Sequence, residues 1–214
     1  MSNRIITTEN LCKSYIQGKF ITKVLDNISL DIYENQTTFI VGPSGAGKTT
    51  LLNILGLMDT FDSGKYEFFG KNIANISINE KNYLIRTYIG FLFQNVPLLK
   101  ELNVYENICL PLKIKDRKID VSDEIKSISE KLGISDLLKR KITEISTGQR
   151  QRIALASVLI KHPKILFCDE PTANLDNTNT ENIIQLLHEI NVSFGITVVF
   201  TTHNLSLAKY ADRI

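Results

Sequence analysis

Gly42-Pro43-Ser44-Gly45-Ala46-Gly47-Lys48-Thr49-Thr50 lies between the apolar run Thr38-Phe39-Ile40-Val41 and the helix-like Leu51-Leu52-Asn53-Ile54-Leu55. Its first eight residues fit the pattern GxxxxGK[ST], and they stand where that pattern works, after a strand and before a helix. Glycines at 42, 45 and 47, with the small residues Ser44 and Ala46, let the backbone curl so that its N–H groups face inward. The result is an anion nest at the positive end of the following helix. Lys48 can reach the β- and γ-phosphates of a nucleotide, and the Thr49 hydroxyl can ligate Mg²⁺. An ordinary glycine-rich turn is the bland reading of such a stretch. The intact pattern in this context favours the phosphate loop, and the loop alone implies a nucleotide without saying what is done with it.

Phosphoryl transfer also needs an acid for the metal and a group that orients the attacking water. Ile165-Leu166-Phe167-Cys168-Asp169-Glu170 supplies two adjacent acids at the carboxyl end of an apolar strand, where an open α/β sheet places its ligands. Asp169 is read as the magnesium residue and Glu170 as the residue that polarises water. A strand that merely ends in solvated acids is the competing reading, and the phosphate loop in the same chain weakens it.

Outward from these two stretches, short apolar segments at 4–8, 28–32, 37–41 and 65–69 read as strands, several of them antiparallel. From about Glu101 to Ile160 the pattern becomes helical, with Ser122 as a cap, Ile125, Ile128 and Leu132 at helical spacing, and Gly133 as a stop. His162-Pro163 ends a helix, because the residue before proline avoids the α region. Ile165–Cys168 and Ile196–Phe200 then read as buried parallel strands flanking a helix over 182–190. The expected class is α/β: a P-loop core of 1–94 and 161–214 with an antiparallel β subdomain, and an inserted helical subdomain at 95–160, all in one domain spanning 1–214.

Composition narrows the function. With 214 residues, 43% of them hydrophobic, the chain can bury one good core. A formal net charge of +2, with acids and bases interspersed, argues against nucleic acid as the partner. Cys12, Cys109 and Cys168 are odd in number and lack CxxC spacing, which points to reduced cytosolic thiols rather than a disulfide framework or zinc site. No apolar run approaches the roughly 18 residues of a membrane span, and the segment after Met1 is strand-like rather than signal-like. Any service to a membrane is expected from outside the bilayer.

The ordered set of motifs resembles the nucleotide-binding subunit of an ABC transporter over almost the whole chain. Ile145-Ser146-Thr147-Gly148-Gln149-Arg150-Gln151-Arg152 resembles the family signature LSGGQ and its basic continuation, and Asp169-Glu170-Pro171-Thr172-Ala173-Asn174-Leu175-Asp176 the joined Walker B and D-loop. Gln94 matches the Q-loop glutamine, His203 the switch histidine, and Tyr15 the aromatic residue that stacks on adenine. The resemblance implies ATP and Mg²⁺. Lys48, Thr50 and the rest of the 42–50 loop would hold the phosphates, while Thr49, Gln94 and Asp169 would serve the metal. Glu170, His203 and Gln94 would be catalytic. It implies that Ser146, Thr147, Gly148 and Gln149 close over the ATP of a second copy of the chain, with Asp176 at the contact between the two. A permease subunit in the membrane is the implied partner, with the cassette cytoplasmic and peripheral on the inner face. Bland readings stay open residue by residue: Tyr15 as a packing tyrosine, His203 as a core histidine, Gln94 as a surface amide, Asp176 as a turn acid.

Asn35-Gln36, Leu55-Gly56-Leu57-Met58-Asp59, Glu106-Asn107-Ile108 with Pro111-Leu112, and Pro171–Asp176 resemble the branch serving lipoprotein release, macrolide export and antimicrobial-peptide export. A cell-division ATPase of that branch, or an ATP-gated scaffold with weak hydrolysis, are the alternatives. Ribosome-acting relatives need two tandem cassettes and DNA-repair relatives a long coiled-coil insertion, neither of which is here. Against the family's usual length, a closing strand and helix after Ile214 are expected. The signature departs from the pattern at Ile145 and Thr147. Threonine in place of glycine is disfavoured where the backbone needs positive φ or presses on phosphate, so altered ATP affinity or rate is expected.

Overall fold

The computed structural model describes residues 3–93, 97–113, 121–172 and 177–214. Strands β1 (Arg4–Gln17) and β2 (Phe20–Tyr33) form a long antiparallel hairpin closed by Gly18 and Lys19. Gly18 sits at φ +61°, at the first central position that a two-residue hairpin turn reserves for glycine. Both strands far outrun the segments expected at 4–8 and 28–32. From Tyr15 to Lys23 the hairpin has no buried residue, with Ile16, Phe20 and Ile21 all exposed, so no in–out alternation marks that part in the sequence.

Strand β3 (Thr37–Val41) runs into the phosphate loop and helix α1 (Lys48–Leu55). Strands β4 (Ser63–Phe68) and β5 (Lys71–Asn72) complete an antiparallel sheet of order β2-β1-β4-β5. Helix α2 (Ile78–Tyr88), capped by Ser77, leads directly into β6 (Ile89–Leu92). Helices α3 (Val104–Lys113), α4 (Ser122–Lys131) and α5 (Thr147–Leu159) fill the expected helical stretch. They are followed by β7 (Ile165–Asp169), α6 (Asn177–Phe194) and β8 (Thr197–Thr202). The second sheet is parallel, in the order β3-β8-β7-β6.

The parallel sheet separates two apolar clusters by simple alternation. Ile165, Phe167 and Val199 face α1 and the antiparallel sheet, with Leu52, Leu55, Ile6 and Phe68. Leu166, Cys168, Val198 and Phe200 face the helices, with Ile108, Ile153, Leu155 and Ile184. Both faces are covered, which is why β7 and β8 read as unbroken apolar runs. The architecture is α/β, a parallel core with antiparallel and helical additions.

Two expectations change in detail and a third holds. Ser122 is the first helical residue of α4 rather than its cap, with Val121 in the N-cap position and Asp123 and Glu124 providing negative charge at the helix start. Gly133 does terminate that helix, at φ +63°. Helix α6 extends well beyond 182–190 in both directions. Among the described residues, no helix is long and apolar enough to cross a membrane.

Candidate nucleotide-binding and hydrolysis site

The carboxyl ends of β3, β7 and β8 meet in register. Val41 lies opposite Thr202, and Asp169 opposite Thr201. The phosphate loop therefore starts beside the two acids and the segment carrying His203.

The loop's shape depends on Gly45 and Gly47, at φ +79° and +89°. Gly47 has a second reason to be glycine, because a Cβ there would stand 2.9 Å from the Val24 carbonyl oxygen and about 3.0 Å from its side chain. The hairpin thus presses on the loop from behind, and only a bare backbone fits. Gly47 is the N-cap of α1 and no side chain caps that helix, so its first-turn N–H groups are open to an anion.

Lys48 is buried, 7% exposed, with Nζ donating to the carbonyl oxygens of Gly42 at 2.9 Å and Pro43 at 3.0 Å. The same Nζ lies 3.0 Å from Glu170 Oε1, and the other carboxylate oxygen of Glu170 is 3.4 Å from His203 Nδ1. Thr49 Oγ1 donates to Asp169 Oδ1 at 3.0 Å. The hydroxyl and carboxylate are two hard oxygen ligands side by side, the set expected where Mg²⁺ is held by few protein groups plus phosphate and water. Among the described residues no cluster of three acids, histidines or cysteines would retain a metal unaided. The donors therefore fit a Mg²⁺ that arrives with a nucleotide.

Glu170 adopts φ +41°, a left-handed conformation that costs a non-glycine residue roughly 1–2 kcal/mol. Thr201, which the sequence reading passed over, helps to hold it. Its hydroxyl donates to Asp169 Oδ1 at 2.9 Å and accepts from the Glu170 N–H at 3.0 Å, so one side chain orients both acids. The available signal was the expected pairing of two parallel strands, since the residue opposite an acid at the end of the adjacent strand is well placed to brace it.

Tyr15 lies on β1 and is partly exposed. Its hydroxyl donates to Asp59 Oδ2 at 2.7 Å, and the Lys13 ammonium, 5.1 Å from the ring centroid, also binds Asp59. The bond to Asp59 pushes the Tyr15 hydroxyl above its ordinary value, with burial adding to the shift. Burial works to raise the Asp59 carboxyl, but hydrogen bonds from Tyr15, the Thr60 N–H and Lys13 outweigh it and hold the group below the usual carboxylate range. Asp59 and Lys13 are thus supports for Tyr15 that the sequence reading did not identify. Thr50 of α1 lies near enough to the tyrosine hydroxyl to oppose that shift, which places Tyr15 beside the phosphate loop.

The signature lies elsewhere on the chain. Ser146 caps α5 through a capping box: its Oγ accepts from the Gln149 N–H at 3.4 Å, and Gln149 Oε1 accepts from the Ser146 N–H at 3.1 Å. Ser146 and Thr147 are exposed, and the N–H groups of Thr147 and Gly148 belong to the first helical turn. Thr147 takes a helical conformation rather than positive φ, so the feared backbone strain is absent there. Its β-branch costs little at the first helical position. Replacing Thr147 with glycine is expected to leave steady-state ATP hydrolysis equal or higher, and a large loss would make the threonine a required contact. Gln94 and Asp176 lie outside the described residues.

An apolar hollow of about 280 Å³ opens between α3, α5 and β6, lined by Met58, Phe91, Phe93, Pro97 and Leu98 among others.

A family model described as ABC transporter matches residues 25–173. The chain belongs to the ABC transporter family. It is 39% identical over 210 residues to the macrolide export ATP-binding/permease protein MacB of Bdellovibrio bacteriovorus, covering 98% of this chain and 32% of that protein. The chain thus spans about a third of that relative's length. It is 38% identical over 211 residues to the lipoprotein-releasing system ATP-binding protein LolD of Blochmanniella floridana, covering 98% of this chain and 90% of that one. Among solved structures, the dimeric post-hydrolysis ATP-binding cassette MJ0796 bound to ADP and Pi superposes with a TM-score of 0.85 at 34% identity. That match covers 98% of this chain and 93% of the other. These likenesses agree with the ABC branch and the fold class read from the motifs.

Proposed function

We propose that this ABC cassette binds and hydrolyses ATP as a homodimer, and that its ATP cycle drives a membrane permease of the lipoprotein-release or macrolide-export kind. The observation that carries the reading is the position of Glu170, whose carboxylate bridges Lys48 and His203 beside the Thr49–Asp169 pair. In this reading the loop N–H groups and Lys48 hold the phosphates, and Tyr15 faces the base. Glu170 accepts a proton from the attacking water, and His203 bonds the departing phosphate. Mg²⁺, held by Thr49 and Asp169, would neutralise charge on the phosphates. Gln94 completes this set as proposed from its motif.

Homodimer formation is supported by two helix starts with exposed residues on one chain, α1 and α5, each of which could meet a phosphate. The signature of each copy would cover ATP held in the other, with Asp176 at the contact. A permease partner is supported by the names of the relatives and by the apolar hollow beside β6, which offers a surface for docking outside the dimer. Such a cassette works on the inner face of the membrane. Its division into a core and a helical subdomain at 95–160 would let α5 move as ATP is gripped and released.

Sedimentation of the Glu170→Gln chain tests the reading. Saturating Mg-ATP is expected to convert it to a dimer, and Mg-ADP is not. A chain that stays monomeric in Mg-ATP, alone and with its permease, would sink the proposal.

A further inference from the structure

Gln151 belongs to the signature helix α5, yet unlike the exposed Ser146 and Thr147 it is only 5% exposed. Its Nε2 donates to the carbonyl oxygen of Pro171 at 2.5 Å, while its Oε1 is buried with no hydrogen-bond partner among the described residues. An unsatisfied buried amide oxygen is destabilising. Leucine or methionine would fill the same volume without that orphaned oxygen but would leave the Pro171 carbonyl without its donor, so the amide is there for this bond rather than for packing.

Pro171 directly follows Glu170, the residue held at φ +41°, and its ring further narrows the conformations open to Glu170. The strained residue is tied on both sides. Its own N–H is bound by the Thr201 hydroxyl of β8, and the next carbonyl by Gln151 of α5. One tie comes from the sheet that carries the chain's own phosphate loop, and the other from the helix whose exposed start is the signature. Helix α5 is held as a unit, capped by a reciprocal Ser146–Gln149 box and with Ile153, Leu155 and Ala156 fully buried.

We infer that Gln151 is a positioning residue for Glu170, coupling the place of the signature helix to the orientation of the proposed base. The inference rests on the ATP-dependent homodimer proposed above. When the start of α5 is drawn onto ATP in the opposite copy, Gln151 carries that shift to the Pro171 carbonyl and so to the Glu170 backbone. Occupation of one site thereby sets the base of the other. Gln151 touches neither nucleotide nor water in this scheme.

The test is steady-state hydrolysis by the full chain over a range of ATP concentrations, comparing wild type with Gln151→Leu and Gln151→Asn. Leucine keeps the volume without the donor, and asparagine keeps the amide without the reach. A misplacement of the base by about 1 Å can cost up to roughly 100-fold in rate, so kcat is expected to fall about 10- to 100-fold. KM and ATP affinity should stay within about twofold, the pattern of a loss confined to the transition state. The Hill coefficient should drop toward one. A merely structural glutamine would lower thermal stability and ATP affinity together and leave the cooperativity of the folded fraction intact, which would overturn the inference. If Gln151→Leu fails to fold, Gln151→Asn decides by the same readouts. Wild-type turnover without cooperativity would count against the dimer reading itself. Cooperative wild type with equally cooperative, full-rate variants would sink this inference alone.

Discussion

Glu170→Gln is expected to slow ATP hydrolysis by about 10²–10⁴-fold, the usual worth of a positioned general base, while ATP still binds. The amide keeps the size of the carboxylate and can still meet Lys48 through its oxygen, so neither the left-handed turn at 170 nor the ion-binding loop should collapse. What disappears is the ability to take a proton from water. Phosphate release and ATP binding, measured on the same preparation, separate the two. Unchanged turnover would remove Glu170 from the mechanism and leave the Lys48–Glu170–His203 chain as a structural ion pair.

Lys48→Ala should instead remove binding. Lys48 Nζ donates to two carbonyl oxygens of the loop, and in the proposed reading it meets the terminal phosphate there. Hydrogen bonds to charged groups contribute roughly 1.5–3 kcal/mol each. Losing one or two of them, together with the coulombic attraction of a site only 7% exposed, is expected to weaken ATP binding on the order of 100-fold or more. The change also leaves Glu170 without its 3.0 Å cationic partner. Alanine is a good helix former at the start of α1, so the fold should survive and titration calorimetry can be read directly. Binding at wild-type affinity would contradict the phosphate-loop role of the lysine.

The local motifs of this chain were more legible in its sequence than the extents of its elements. Residues 42–50 and 165–170 carry their meaning locally: glycines where the backbone needs positive φ, and acids where an apolar strand runs out. Signals of that kind survive without knowing what lies across from them. The outer half of the β1–β2 hairpin carries none, because Ser14 to Thr22 is held by strand pairing with neither face buried, and pairing leaves no mark on polarity. Helix α2 was overlooked because Leu84 is its only buried residue, although Ser77 with Glu80 three positions on is a cap that could have been read. Thr201, Asp59 and Gln151 were missed for a different reason. Each acts on a residue distant in sequence, across a strand pair, a loop or a helix packing, and a threonine or glutamine announces none of that by itself. For the threonine in the signature, the helical conformation of Thr147 removes the concern over positive φ, and the Thr147→Gly variant tests the other concern, a side chain pressing on phosphate.

The alternation of β7 has a consequence for how the chain tolerates change. Ile165 and Phe167 belong to the cluster around α1, while Leu166 and Cys168 belong to the cluster around α5 and α6, so neighbouring side chains on one strand answer to different surroundings. Trimming Phe167 would loosen the wall behind the triphosphate cradle, and trimming Leu166 the wall behind the helices, yet both would tilt the same strand and the acid at its tip. Sensitivity of turnover to core truncation should therefore follow membership of this partition and its bordering strands, with linear distance from the glycine-rich turn a poor guide.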